Sequence, residues 1–231
     1  MADRPYVLLS CSMSIDGYID GTTESRLLLS NDLEFDRVDE VRAGVDAILL
    51  GATTVRNDNP RLLVRSPERR RARLHRGLPE HPLKVTLTQR GLLDASQRFF
   101  ADDGTSTLVY ANSRVVESLG DRLGPASEVV DAGDPVRMAD LAGDLHQRGV
   151  HRLMVEGGGT VHTQFLAADL VDELQLVVAP FFVGESGARR FVGEGRFPWH
   201  PGRRAALAET RQLGDVVLLR YALSDRFAAT G

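Results

Sequence analysis

The 231-residue sequence predicts an α/β fold with a mostly parallel central sheet, flanked by helices and finished by a C-terminal antiparallel hairpin. Short apolar runs alternate with segments of helical periodicity, which is the pattern of strand–helix–strand units. Near the C-terminus this alternation stops, and two strand-like runs flank Gly214-Asp215, a dipeptide typical of two-residue hairpins. We expect a single domain over residues 1–231, because neither an internal repeat nor a clear linker is visible.

Local signals place the individual elements. Residues 6–9 are typical of a buried first strand, and Asn31 and Glu34 form a capping box that starts a helix ended by Gly44. Further strands are expected at 47–50, 84–88, 107–110, 128–130, 153–155 and 173–178, and in the hairpin at 205–213 and 216–222. Further helices are expected at 135–147 and 160–168. The arginine-rich segment 65–82 predicts a solvated loop or exposed helix, with phosphate contacts as the alternative.

Composition excludes several classes of function. The formal charge is −4 at pH 7, whereas a general nucleic-acid binder is usually basic. No apolar run approaches the roughly 18 residues of a membrane span, and the first five residues lack the apolar core of a signal peptide. The single cysteine, Cys11, and the six histidines show no zinc-ligand spacing, so no metal site is expected. We therefore expect a cytoplasmic protein that binds neither nucleic acid nor membrane.

The most informative segment is residues 152–162, where an apolar run ends in Glu156, three glycines follow and a helical pattern begins. Glycines let backbone amides approach a ligand closely, and the N-terminus of a helix favours phosphate. The segment lacks the G-x-G-x-x-G spacing of a dinucleotide-binding unit, so a purely structural turn is the alternative. Glu156 is placed beside this loop, where it would meet a polar group of a ligand.

Two further segments carry polar groups directly after predicted strands, on the side of an α/β sheet where ligands bind. Residues 12–19 include Asp16, for which the alternative is a turn in which the carboxylate bonds its own backbone. Residues 51–62 include hydroxyl groups and Asp58-Asn59-Pro60, which alone is a common turn. Arg65 follows, and its guanidinium suits a forked contact with phosphate. Three such loops after three strands favour a nucleotide-dependent enzyme.

In these motifs the chain resembles the reductase domain of the riboflavin-biosynthesis deaminase/reductase family, whose fold is similar to dihydrofolate reductase. The resemblance covers about residues 4–222 and keeps the order and spacing of the motifs. The matching motifs are Arg4-Pro5-Tyr6-Val7, Met13-Ser14-Ile15-Asp16-Gly17, Glu24-Ser25-Arg26, Val41-Arg42-Ala43, Asp46-Ala47-Ile48-Leu49-Leu50-Gly51, Thr54-Val55, Asp58-Asn59-Pro60-Arg61-Leu62, Val155-Glu156-Gly157-Gly158 and Leu170-Val171-Asp172-Glu173-Leu174. The zinc deaminase signature is absent, so we expect a stand-alone reductase without a deaminase domain.

The resemblance implies NADPH-dependent reduction of 5-amino-6-(5-phosphoribosylamino)uracil to its ribitylamino product. The sugar ring would open to an imine-like C1′, which accepts a hydride from the nicotinamide. By position, the implied substrate contacts are Ser25, Arg42, Leu62, Arg65 and Glu156. The implied cofactor contacts are Ser12, Met13, Leu27, Thr54, Asp58, Gln89, Gly158, Gly159, Thr160, Val161, His162, Thr163 and Gln164. The candidate catalytic groups are Asp16, Asp58 and Glu156, and the family also implies a homodimer.

Two departures from the family pattern leave other functions open. Ser10 stands where many bifunctional members carry a lysine, and Tyr18 stands where a basic residue is common. One alternative is therefore an NADPH-dependent reductase of dihydrofolate or of another heterocycle. The other is a nucleotide-binding module without turnover. Arg90 is a candidate partner for a 2′-phosphate on the cofactor, on charge and placement alone.

Overall fold

The computed structural model describes residues 3–22 and 27–230, so the predicted substrate contact Ser25 lies outside the described residues. The strands are β1 (Tyr6–Ser14), β2 (Ala47–Gly51), β3 (Leu83–Thr88), β4 (Thr107–Ala111), β5 (Glu128–Asp131), β6 (Arg152–Gly157), β7 (Glu173–Ala179), β8 (Ala206–Leu213) and β9 (Val216–Ala222). The α-helices are α1 (Asp32–Ala43), α2 (Ala52–Asp58), α3 (Pro67–His75), α4 (Val116–Leu123), α5 (Met138–Gln147) and α6 (Gly159–Ala167).

The strands follow the sheet order β5-β4-β3-β2-β6-β1-β7-β9-β8, with antiparallel pairs at β7–β9 and β8–β9. This confirms the predicted α/β class, the mostly parallel sheet and the terminal hairpin. The chain divides into two compact units. The first unit comprises Met1–Pro5 and Asp39–Met154, and the second comprises Tyr6–Val38 and Val155–Gly231.

In the first unit, β2, β3, β4 and β5 pair in parallel, with Leu50 opposite Thr86 as one register position. The centres of β2, β3 and β4 are buried, whereas β5 is only partly buried, and both Leu49 and Val85 are completely inaccessible. The nearly continuous apolar sequences of β2 and β4 are typical of a parallel sheet covered on both faces. Because parallel strands end at one edge, the segments that follow β2, β3 and β4 lie side by side.

In the second unit, β1 pairs in parallel with β7, and β8 and β9 form the hairpin predicted at Gly214-Asp215. A core cluster joins the hairpin to β7 and to the segment before α1. Its buried members are Leu29, Val177, Ala179, Val216 and Leu218. β1 continues to Ser14, beyond the predicted end at Leu9, because pairing with β7 holds its small polar residues in the strand. Ser12 and Met13 therefore lie in a strand and not in a loop.

Several helical elements differ from the sequence-based expectations. The short helices α2 and α4 were not predicted, and α5 begins at Met138 because residues 133–136 form a turn. At the start of α1, the Asn31 side chain accepts a hydrogen bond from the Glu34 amide at 3.0 Å, as predicted. The Glu34 carboxylate does not return this bond, since it pairs with Arg37 at 2.6 and 2.7 Å.

Helix α3 contains most of the arginines of the arginine-rich segment and confirms the prediction of a helix there, with Arg73 as a buried exception. Arg73 is 1% exposed and donates to the carbonyl oxygens of Pro79, Ala43 and Val45 at 2.8, 3.0 and 2.7 Å. Burial lowers the pKa of this guanidinium. Arg73 therefore joins α3 to the end of α1 and the start of β2, and it is not available to a phosphate.

Replacing Arg73 with methionine should lower the free energy of unfolding by about 3 kcal/mol, because three buried carbonyl groups lose their donor. The exposed neighbour Arg71 provides the matched control, and Arg71→Met should change stability by no more than about 0.5 kcal/mol. Denaturant unfolding measures both variants. If both variants lost the same free energy of unfolding, the role of Arg73 in joining α3 to α1 and β2 would be contradicted.

Candidate active site

At the carboxyl edge of the first unit, polar residues follow neighbouring parallel strands. Thr54 lies in the first turn of α2, directly after β2. Gln89 directly follows β3, and its side-chain oxygen accepts a hydrogen bond of 3.1 Å from Asn112, which follows β4. The same Asn112 amide donates to Asp134 at 2.8 Å. Asn112 was missed from the sequence, although its place after a strand is the signal that identified the other loops.

The turn that follows α2 has an unusual backbone. Asp58 is the last, exposed residue of α2, and both Asn59 and Leu62 adopt left-handed conformations with φ of 43° and 58°. Such conformations are unfavourable for side chains with a Cβ, so tertiary contacts must hold them. The Asn59 side chain accepts a hydrogen bond from the Arg98 amide at 2.7 Å, and the Leu62 side chain is buried. The Leu62 side chain is therefore packed in the protein interior, which argues against the implied contact between this side chain and the substrate.

Arg65, a predicted substrate contact, is oriented by the buried carboxylate of Asp39. Asp39 accepts hydrogen bonds from the backbone amides of Arg65 and Ser66 and from the Arg69 guanidinium. The Arg65 guanidinium lies 3.7 Å from the same carboxylate and is 57% exposed. Arg42 lies one helical turn after Asp39 on α1, on the same face. The sequence analysis did not identify Asp39, because only the fold brings α1 next to the turn at Arg65.

Asp39 should make stability dependent on pH. Burial alone would raise the pKa of its carboxyl, but the donors from Arg65, Ser66 and Arg69 outweigh burial and lower the pKa. The stabilisation is therefore complete above the ordinary aspartate pKa, about 3.9, and is lost as pH falls through the lower folded value. Asp39→Asn should cost about 2 kcal/mol at pH 7. Unfolding measured from pH 2.5 to 7 should show this difference shrinking in acid, and a constant difference would contradict it.

In the second unit, Asp16 lies in the turn after β1 and is surrounded by donors. It accepts hydrogen bonds from the Ser14 hydroxyl at 2.5 Å and from the amides of Val183 and Gly184 at 3.1 and 2.8 Å. Burial opposes ionisation, but these bonds lower the pKa of Asp16. A carboxylate of low pKa with donors directed at it is a poor proton donor at neutral pH. The structure therefore favours an orienting role for Asp16 over a proton-donating one.

The segment 181–193, between β7 and β8, joins the turn after β1 to α6. The Phe181 carbonyl accepts from the Ile15 amide at 2.9 Å, and the Phe191 amide donates to the Gly17 carbonyl at 3.0 Å. At its other end, the Gly193 amide donates to the Thr163 hydroxyl at 2.8 Å. This segment has no regular periodicity, so the sequence analysis missed it.

Arg190 lies at the centre of this segment. Its guanidinium stacks on the Tyr18 ring, 4.4 Å from the centroid, and donates to the Tyr18 hydroxyl at 2.9 Å. Tyr18, a departure from the family pattern, thus serves as the partner of Arg190. Ser10, the other departure, is buried, and its hydroxyl lies 3.4 Å from the guanidinium of Arg37. The guanidinium of an arginine from another part of the chain therefore lies beside each of these two residues, Arg190 beside Tyr18 and Arg37 beside Ser10.

The glycine loop connects β6 to α6. Glu156, the penultimate residue of β6, is half-buried, and Gly157 has a φ of 142° that favours glycine. The peptide bond between Gly157 and Gly158 is cis. A Cβ on Gly159 would lie 2.4 Å from the carbonyl oxygen of Arg190. Gly159 is therefore required by the protein's own backbone, a reason that the sequence analysis did not anticipate.

Helix α6 carries the remaining predicted cofactor contacts. Thr160 is exposed at its start, Val161 is buried, and the Thr163 hydroxyl donates to the Gly159 carbonyl at 2.6 Å. His162 is buried, and its Nδ1 lies 3.2 Å from the Phe191 carbonyl oxygen. Its imidazole therefore contacts the protein interior, which argues against the implied direct contact between this side chain and the cofactor.

Other expected site residues lie elsewhere in the second unit. The Ser12 hydroxyl lies 3.2 Å from the Ser30 hydroxyl, and Met13 follows it on β1. Leu27 packs against the core cluster that joins the hairpin to β7. Across residues 3–22 and 27–230, no three histidine, cysteine, aspartate or glutamate side chains are grouped to hold a metal ion. None of the helices in those residues has both the length and the apolar character needed to cross a membrane.

Comparison with known proteins gives the family. The sequence model of the RibD C-terminal domain matches residues 5–219, nearly the whole chain. The chain belongs to this family. The RibD C-terminal domain match confirms the resemblance expected from the motifs and makes the chain an oxidoreductase of the pyrimidine reductase type.

Individual relatives agree with this membership. A protein of Archaeoglobus fulgidus, named 2,5-diamino-6-ribosylamino-4(3H)-pyrimidinone 5′-phosphate reductase, is 34% identical over 78% of this chain and 83% of its own. A protein of the same name from Methanothermobacter thermautotrophicus is 33% identical over 94% of this chain and 98% of its own. The crystal structure of a pyrimidine reductase-like protein from Corynebacterium diphtheriae superposes with a TM-score of 0.79 at 23% identity, covering 94% of this chain and 91% of its own. This last likeness shows a shared fold.

Proposed function

We propose that the chain reduces 2,5-diamino-6-ribosylamino-4(3H)-pyrimidinone 5′-phosphate to its ribitylamino product, with NADPH as the reductant. The match to the Methanothermobacter reductase carries this proposal, because it extends over 94% of this chain and 98% of that protein. The uracil form implied by the motif resemblance has an oxygen in place of the amino group at C2 and is the second candidate. Reduction of the diamino form would place the deamination after this step.

The residues of α6 fit a nicotinamide dinucleotide. Within residues 3–22 and 27–230, no side chain caps this helix at Gly158, which suits binding of a pyrophosphate at the positive end of the helix dipole. On the same helix, Gln164 carries a buried side-chain oxygen that has no hydrogen-bond partner among the described residues. An acceptor of this kind suits a ligand that brings a donor. These two features support Gly158, Gly159 and Gln164 as cofactor contacts.

In the first unit, Gln89, Thr54 and Arg90 support the same proposal. The Gln89 side chain is exposed but is held by the bond from Asn112, which reduces the conformational entropy lost when it binds a ligand. Arg90 is exposed immediately beside it and suits the 2′-phosphate that distinguishes NADPH from NADH. Thr54 offers a hydroxyl in the first turn of α2.

The proposed reaction needs substrate groups to be held while C1′ is reduced. When bound, reduced nicotinamide supplies the hydride that C1′ of the opened ribosylamine accepts. Arg65 would hold the 5′-phosphate by its forked guanidinium, with Asp39 orienting it. Glu156 would accept hydrogen bonds from amino or ring N–H groups of the pyrimidine. Asp16 would fix the turn after β1 as an ionised carboxylate.

Absorbance of NADPH tests the proposal directly. The purified protein is mixed with NADPH and, in separate cuvettes, the diamino pyrimidine phosphate, the uracil phosphate or dihydrofolate. We expect kcat/KM for the diamino compound to exceed that for the uracil compound by about tenfold or more, because one polar ring substituent differs. A reversed ratio would favour the uracil form. Turnover of dihydrofolate alone, or NADPH binding without any turnover, would replace the proposal with one of the two alternatives.

A homodimer in the cytoplasm remains a prediction from the family resemblance. Light scattering tests the oligomeric state, and the predicted mass is twice the 25.3 kDa of one chain. A mass of one chain at micromolar concentration would contradict the dimer.

A further inference from the structure

His162 is a buried polar residue on α6 that has no charged partner within the part of the chain that the structure describes. Its side chain is 1% exposed, and its ring lies 5.5 Å from the ring of Phe191. Fully buried histidines are uncommon unless their ring nitrogens are used. The surroundings of the two nitrogens therefore indicate what this residue does.

The two edges of the imidazole meet two different backbone segments. Nδ1 lies 3.2 Å from the carbonyl oxygen of Phe191, and because a carbonyl only accepts, Nδ1 carries the proton. Burial lowers the pKa of His162 to about 4, so the ring is neutral at pH 7 and Nε2 is unprotonated. The opposite edge faces Gly157, since a Cβ there would lie 3.6 Å from Nε2 and 3.7 Å from Cε1.

Both segments adjoin loops for which ligand contacts are proposed. Phe191 bonds to Gly17 in the turn after β1, and the preceding carbonyl, that of Arg190, lies against Gly159. Gly157 follows Glu156 at the end of β6. The ring therefore lies between the segment 181–193 and the glycine loop, with Nδ1 bonded to the Phe191 carbonyl and Nε2 facing the backbone at Glu156 and Gly157.

We propose that His162 is a positioning residue for the reductase, which sets the place of Glu156 and Gly157 relative to the segment 181–193. It acts through Gly157 and Phe191 and does not contact the ligand. The kinetic consequence rests on the proposed function, because that function makes the glycine loop a substrate and cofactor contact. The structural consequence, a more mobile loop without the ring, is independent of it.

Three variants test the proposal. His162→Asn keeps a donor in the place of Nδ1, whereas His162→Leu removes it at similar volume. Leu166→Ala is the matched control, since it destabilises the same helix at a buried apolar site away from the loop. The readouts are hydrogen exchange of amides 156–159, the Kd of NADPH from its fluorescence, and KM and kcat for NADPH.

His162→Leu should raise exchange of amides 156–159 and the Kd and KM of NADPH about tenfold each, the effect of losing one buried hydrogen bond. Its kcat should change by less than about threefold, and His162→Asn should remain near the parent in every readout. Leu166→Ala should lower thermal stability without raising exchange selectively in this loop. If His162→Leu does not fold, His162→Gln replaces it, because its amide reaches the Nε2 position and not that of Nδ1.

Unchanged hydrogen exchange of amides 156–159 in His162→Leu, or in His162→Gln where that variant replaces it, would overturn the proposal. An equal rise in exchange of these amides in Leu166→Ala would also overturn it. A loss in His162→Asn as large as that in His162→Leu would overturn the role of the Phe191 bond. If the parent protein turns over neither pyrimidine, the proposed function fails. The exchange comparison still decides the role of His162 in that case.

Discussion

Gly159→Ala should reduce kcat/KM at least about a hundredfold and lower the free energy of unfolding by about 2–3 kcal/mol. The added Cβ would lie 2.4 Å from the carbonyl oxygen of Arg190, a distance that real Cβ atoms do not show. That carbonyl cannot easily retreat, because Arg189 and Phe191 on either side are bonded to the turn after β1. The start of α6 must therefore move, and the glycine loop moves with it.

The same substitution at Gly143 provides the control for this prediction. Gly143 lies inside α5, and a Cβ there would meet nothing within 4 Å. Gly143→Ala should therefore stabilise the protein by roughly 0.5–1 kcal/mol, because alanine loses less backbone entropy in a helix. Steady-state kinetics and thermal unfolding measure both variants. Parental activity in Gly159→Ala would show that the contact with Arg190 is relieved without cost.

Asp103→Ala should lower the free energy of unfolding by about 3–5 kcal/mol, because it leaves a buried ammonium group without its counter-charge. The side chain of Lys84 is completely buried in β3, and its Nζ lies 3.0 and 2.8 Å from the two Asp103 oxygens. The Asp103 carboxylate is 6% exposed. Burial opposes its ionisation, but the bond and charge of Lys84 lower the pKa of Asp103.

A double variant distinguishes the electrostatic effect of the Lys84–Asp103 ion pair from the effect of the volume that the two side chains occupy. Lys84→Met with Asp103→Leu should recover most of the loss, since well-packed apolar residues often replace a buried ion pair without cost. The exposed pair of Arg211 and Glu209, 3.3 Å apart, is the control, and Arg211→Gln should cost less than about 1 kcal/mol. Denaturant unfolding measures the cycle. Additive losses in the double variant would contradict coupling between Lys84 and Asp103.

Local pattern predicted most strands of the fold. The runs at β2 and β4 are almost entirely apolar because these strands are buried in a parallel sheet, and such runs are visible without knowing their partners. The serine-rich half of β1 carries no such signal. Its extension to Ser14 depends on hydrogen bonds to β7, which follows it by more than 150 residues in the chain.

The sequence indicated the loops of the candidate site, but it did not indicate the groups that hydrogen-bond to these loops. Glycine, acidic and hydroxyl residues after strands mark Asp16, Thr54 and Glu156 as site candidates, because the ends of parallel strands lie at one edge. The groups that hold these loops lie far away in the sequence. Asp39 reaches Arg65, and the segment 181–193 reaches Asp16, only through the fold, so no spacing rule could indicate these contacts.

The sequence by itself determined the α/β class, the terminal hairpin, the three polar loops and the family, because each depends on local periodicity or on a motif of adjacent residues. The tertiary structure alone gave the surroundings of individual side chains. Asp16 accepts hydrogen bonds that lower its pKa, Gly159 lies against the Arg190 carbonyl, and His162 is buried beside the Phe191 carbonyl. Burial and hydrogen bonds from distant segments set these properties, and neither is encoded in neighbouring residues.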